Sequence, residues 1–288
     1  MGTSGSYGGP SGGNPLIPSW LDGADDAPTQ GQDGPVPTPP TDGMAPNQPR
    51  ETSVSEPDPN RFRGPRVNFT QFVRSGGENR TKLGRALSGY VSRSTGGAGG
   101  AALRMGSSKT TSAKLASFLS VASGHGAHEA LKRFNLSYLV GRNLSEVLTG
   151  LMDEVCPAGG SVDEGIARDA FVETIDSLSK DGDISFDEIS QEQLQAIFEI
   201  YLCKTIEARI CNDIGNKSIE IASDIHVIQK IQEQLFDFIR TSVSMATNSI
   251  GAISNTVNRD KFDGYVQEIY EKAFSYLEYL GEYAGDEK

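Results

Sequence analysis

Few residues of this 288-residue chain have types and spacing that could do chemistry. Asp181-Gly182-Asp183-Ile184-Ser185-Phe186-Asp187 puts side-chain oxygens at positions 1, 3 and 5 of a calcium loop, with Glu192 at position 12. Phe186 occupies position 6, where such a loop needs glycine for its sharp turn. The stretch therefore reads as a solvated acidic turn whose Ser185 and Glu188 cap the following helix. Gly106-Ser107-Ser108-Lys109-Thr110-Thr111 has the letters of a phosphate loop but neither its spacing nor a preceding apolar strand. Gly9-Pro10-Ser11-Gly12-Gly13 spells a nucleophile elbow without the strand and helix that would strain it. His125 and His128 stand about one helical turn apart, with no acidic or thiol motif to complete a metal site. The cysteines, Cys156, Cys203 and Cys211, have the spacing of neither a disulfide framework nor a zinc site. The expectation is a protein with no catalytic residues, no metal and no cofactor, hence not an enzyme.

Charge is more informative. Residues 1–60 hold eight acids and one Arg, 61–145 hold fourteen Lys or Arg and two acids, and 146–288 hold twenty-eight acids and eleven Lys or Arg. A basic block thus lies between acidic ones in a chain of net charge −12. Its candidate anion contacts are Arg61, Arg63, Arg66, Arg74, Arg80, Lys82 and Arg85, interleaved with Phe62, Phe69, Phe72 and Tyr90. Cations beside aromatics could track a phosphate backbone and stack bases. A nucleic-acid-binding module over residues 61–114 is therefore one functional reading; folding of the block against the acidic remainder is the plainer one.

The amino terminus is the other chemically suggestive feature. Met1-Gly2 predicts removal of Met and a free α-amine on Gly2. Thr3, Ser4, Gly5, Ser6 and Tyr7 follow, mostly small residues that could enter a narrow active site in extended form. Leu16, Ile17, Trp20 and Leu21 form one apolar cluster around the only tryptophan, which suits a docking motif. Twelve of the 14 prolines fall within residues 1–60. Such a segment buries too little apolar surface to offset its ordering entropy, so a disordered tail is expected over 1–60.

The elements that would carry these features are helical. Residues 61–110 suggest a basic, Gly-rich linker with one short helix, Lys82 to Ser92, and a hinge at Gly96-Gly97-Ala98-Gly99-Gly100. Residues 111–288 suggest an α-helical domain. Leu144, Val147, Leu148 and Leu151 mark a helix ended at Cys156-Pro157. Ser161 and Glu164 form a capping box for the next. Leu194, Ile197, Phe198, Tyr201, Leu202 and Ile206 share a face. Ile221, Ile225, Ile228, Leu235 and Ile239 read as a heptad seam with Gln232 at its polar step, open to self-association. Phe262, Val266, Ile269, Ala273, Tyr276 and Leu280 close the chain. The fold expected is a mostly α helical bundle without strands. No apolar run would span a membrane and no signal peptide is visible, so a cytoplasmic location is expected.

The opening MGTSGSYGGPSGGNPLIPSW with its acidic, Pro-rich spacer, together with VNFTQFVRSGG and GGAGGAALRMGSS, resembles the QatB proteins of the Qat anti-phage system. The resemblance implies a non-catalytic defence subunit, acting as scaffold or adaptor. It implies as partners an ATPase, a QueC-like enzyme and a TatD-like nuclease. The QueC-like class performs ATP-dependent chemistry at a carboxylate to make a deazaguanine base. Gly2 is accordingly implied as an amine acceptor for that partner, with residues 3–21 as its recognition segment.

Overall fold

A computed structural model describes residues 58, 60–157, 159–180, 182, 184–215, 224–253 and 261–286. Within them the chain forms ten α-helices. These are α1 (Arg63–Arg74), α2 (Arg80–Gly89), α3 (Ala98–Leu103), α4 (Gly106–His125) and α5 (Ala127–Arg133). There follow α6 (Leu144–Val155), α7 (Val162–Ser179), α8 (Gln191–Ile210), α9 (Ile225–Ile250) and α10 (Phe262–Asp286). Wider π-type turns extend α2 over Tyr90–Ser94 and α8 over Cys211–Gly215. No strand occurs among the described residues; extended pairing is limited to one bridge, Asn143 to Ser185. Ser55–Lys288 forms one compact unit.

Short polar side chains set the helix starts. Asn79 accepts from the Lys82 N–H at 3.1 Å, Asn143 from the Glu146 N–H at 2.9 Å. Ser161 and Glu164 make the expected reciprocal capping box. The start of α8 differs from expectation. Ser190 and Gln193 form its capping box, while Ser185 precedes a short 3-10 turn, Phe186–Glu188, without a side-chain cap bond, and Phe186 is 1% exposed. The ring of Phe186 stacks on Phe118 at 5.5 Å, so its chain position serves the core. Asp181 and Asp183 lie outside the described residues.

Residues 61–110 are not a linker with one helix. They hold α1, α2, α3 and the first turn of α4, and Phe69, Phe72, Leu83, Leu87 and Tyr90 are fully buried. Composition misled here because several glycines serve close packing. A Cβ on Gly84 would lie 2.5 Å from the Gly281 carbonyl, and one on Gly281 2.8 Å from the Gly84 carbonyl. Backbone thus meets backbone where α2 crosses α10. Gly96 and Gly97 take positive φ (77° and 94°) and turn the chain tightly into α3, in place of the expected hinge.

The C-terminal helix α10 packs on α2, α3, α4 and α9, and α4 packs on α5, α7 and α8. Tyr270, fully buried on α10, joins these layers: its hydroxyl lies 2.9 Å from Ser112 Oγ and 2.8 Å from Thr205 Oγ1. Thr205 already donates to the Leu202 carbonyl at 2.8 Å. Tyr270 therefore donates to Thr205, and Ser112 donates to Tyr270. The seam of α9 runs through Ile231, Leu235, Phe238, Ile239, Ser242, Val243 and Ala246 and faces this chain's own core. Of the seam expected, Leu235 and Ile239 are core, Ile225 is 63% exposed, Gln232 is exposed, and Ile221 lies outside the described residues. The helical stripe turns with the 3.6-residue period, so a strict heptad count drifted off it.

Candidate functional site

Gly2, Thr3, Ser4, Gly5, Ser6, Tyr7, Leu16, Ile17, Trp20 and Leu21 lie outside the described residues. The basic candidates fall on α1, α2 and the residues just before α1. Their helices hold them because the opposite faces are buried: Phe69, Phe72 and Val73 on α1, Leu83, Ala86 and Leu87 on α2. On the outer face of α1, Arg63, Arg66, Thr70 and Arg74 follow at three- and four-residue steps. With Asn60, Val67 and Gln71 they line a groove of about 370 Å³. Arg61 and Arg85 line a second groove, of about 470 Å³, with Arg93 on the same side and Glu282 and Asp286 across it. Arg85 Nε donates to the Gly285 carbonyl at 3.1 Å, a cation on the C-terminal end of α10. Arg80 lies over the Phe238 ring at 5.7 Å, and neither it nor Lys82 lines either groove. The structure thus divides the seven expected cations between two grooves and a third place.

The interleaved aromatics do not offer rings for base stacking. Phe62, Phe69, Phe72 and Tyr90 are all buried. Phe62 instead anchors cations: the guanidiniums of Arg61, Arg66 and Arg104 lie 5.0, 5.6 and 5.0 Å from its ring centre. One carboxylate serves this cluster. Asp213, 7% exposed, accepts from Tyr90 OH at 2.9 Å and from Arg104 Nε and Nη2 at 3.2 and 2.9 Å. Arg66 Nε donates to the Asp213 carbonyl at 2.8 Å. Burial, then the Asp213 charge, pushes the Tyr90 hydroxyl far above the usual tyrosine range, so it remains a donor. Sequence reading missed Asp213 as the centre of this knot, since 123 residues separate it from Tyr90.

Two further features were not singled out from the sequence. Lys204, between α7, α8 and α9, pairs with Glu173 at 3.2 Å and Glu207 at 3.0 Å and lies 4.7 Å from the Phe236 ring centre. It faces a groove of about 590 Å³ that also takes in Asp176 and Glu233. Burial raises the Glu207 carboxyl above its ordinary range despite Lys204. On α10, Tyr279 and Tyr283 are 63% and 65% exposed, one turn apart. The thiols are the reverse of activated. Burial pushes Cys156 up to about 11 and Cys211 up to about 12, and raises Cys203 further. Among the described residues no three His, Cys, Asp or Glu side chains are grouped to hold a metal. Lys109 of the phosphate-loop lookalike donates to Gln267 Oε1 at 2.7 Å within α4's packing on α10. No helix among the described residues is long and apolar enough to cross a membrane.

A family model described as Qat anti-phage system associated protein QatB matches residues 96–277, well over half of the chain. The matched span runs from the turn before α3 into α10 and leaves out α1, α2 and the amino terminus. No curated protein and no solved structure matches.

Proposed function

The chain belongs to the QatB family, and from that premise we propose that this component of an anti-phage defence system is a non-catalytic subunit and a protein substrate of a QueC-like partner. The family match over the helical body is the observation that carries the reading. The opening MGTSGSYGG supports the substrate role, since it offers an unhindered amine on small residues. The QueC-like enzyme converts a carboxylate to its acyl-adenylate with ATP, releasing pyrophosphate; the α-amine of Gly2 attacks the acyl carbon, AMP leaves, the nitrogen loses a proton and an amide forms. Residues 3–21 are the recognition segment and the Pro-rich stretch after them is the tether. The helical body is the adaptor to the system's ATPase, with Tyr279 and Tyr283 as its exposed aromatic anchors. The raised thiol pKa values argue against a cysteine nucleophile in the body. The assembly works in the cytoplasm.

Gly2→Leu tests the substrate role. A bulky second residue retains Met1 and so withholds the acceptor amine, while the helical body is untouched. Loss of protection in a phage plaque assay, at unchanged protein level and circular dichroism, is the expected result. Full protection by the variant contradicts the proposal.

A further inference from the structure

Among the described residues, Arg63 and Arg74 on the outer face of α1 enter no ion pair, while Arg66 between them also braces the fold through the Asp213 carbonyl and the Phe62 ring. Among the same residues, Arg61 and Arg66 have no carboxylate within 4.0 Å either. The buried Asp213 carboxylate is already shared by Arg104 and Tyr90. Arg63 and Arg74 span about 16 Å along the helix at roughly 1.5 Å per residue, with Arg66 and Thr70 between them on the same side. The row is rigid, because α1 is pinned below by Phe69 and Phe72 and at its start by Phe62.

We infer that this face of α1 binds the phosphate backbone of a nucleic-acid duplex, without reading its sequence. Two observations select that occupant. A protein partner's interface has an apolar centre depleted in charge, whereas Val67 is the lone large apolar side chain exposed on α1. Nucleic-acid interfaces are polar and strongly positive, as this groove is. Single strands are held by exposed aromatic platforms, and every aromatic of α1 is buried. What remains is a straight rail of guanidiniums and hydrogen-bonding side chains suited to successive phosphates. The inference is independent of Gly2 chemistry and is measured on unmodified full-length chain.

The experiment is fluorescence anisotropy with a labelled mixed-sequence DNA duplex, the same sequence as a single strand, and poly-glutamate as competitor. Salt is varied from about 50 to 200 mM. The expected result is duplex binding tighter than single-strand binding, falling steeply with salt. In Arg63→Gln/Arg74→Gln the slope of log K against log salt becomes shallower by about two. Lys132→Gln/Lys180→Gln, two exposed cations on α5 and just after α7, leaves the slope unchanged. Absent duplex binding at the lowest salt overturns the inference. So does single-strand binding as tight as duplex, displacement by poly-glutamate as effective as by unlabelled duplex, or an equal loss in the control variant.

Discussion

Replacing Asp213 should unfasten the helices that carry the basic face. Asp213 is 6% exposed at its side chain and holds Tyr90 OH and Arg104, while its carbonyl holds Arg66. In Asp213→Ala the Tyr90 hydroxyl stays buried without an acceptor, at a cost of ~1–3 kcal/mol. Arg104 is 28% exposed and can turn to water, so its share is discounted to ~1 kcal/mol or less. The sum is a loss of about 1–4 kcal/mol. Asp213→Asn keeps an oxygen for Tyr90 and should lose about half as much. In the double variant Tyr90→Phe/Asp213→Ala the losses should be less than additive, because the orphaned hydroxyl is gone. Urea denaturation followed by helical circular dichroism measures all three. A loss below ~0.5 kcal/mol in Asp213→Ala, or Asn as damaging as Ala, would refute the knot as described.

Other outcomes follow from the same packing. Gly84→Ala drives a Cβ into the Gly281 carbonyl and should destabilise by ~1–3 kcal/mol despite alanine's better helix propensity. Gly264→Ala, with open space around the new Cβ, should instead raise the melting temperature; calorimetry of both reads the contrast. Tyr270→Phe strands the Ser112 hydroxyl, while Thr205 keeps its bond to the Leu202 carbonyl, and should cost ~1–3 kcal/mol by urea denaturation, with no change in helix content. The folded protein binds more protons at Glu207 than the unfolded chain does, between the ordinary glutamate pKa and its raised value. Stability should therefore fall as pH rises through that interval, and the fall should flatten in Glu207→Gln; parallel curves would contradict it. With Cys211 pushed up to about 12, disulfide-exchange labelling at neutral pH should be at least ~100-fold slower in the native protein than in denaturant.

The sequence was most readable where one stripe and one cap coincide. Helices α6, α7 and α8 begin at Asn143, Ser161 and Ser190 and bury the apolar residues that the periodicity picked out, Leu144 to Leu151 and Leu194 to Ile206. It was least readable where glycine has two meanings. Gly84, Gly281 and Gly285 look like flexibility in a Gly-rich chain, yet they let α2 and α10 touch through their backbones. The cations of the site were visible as a charge block. Their division was not, because it depends on Phe62, Tyr90 and Asp213 meeting across more than a hundred residues. The aromatics among them read as stacking platforms and are core, since alternation in sequence does not say which side of a helix a ring takes.

The most direct test of the central claim is the intact mass of the protein, with fragmentation of its N-terminal peptide. The chain is purified with its neighbouring defence proteins and again without the QueC-like enzyme. An added mass on Gly2 that appears only with that enzyme is the predicted result. An unmodified Gly2 in both preparations would contradict the substrate role.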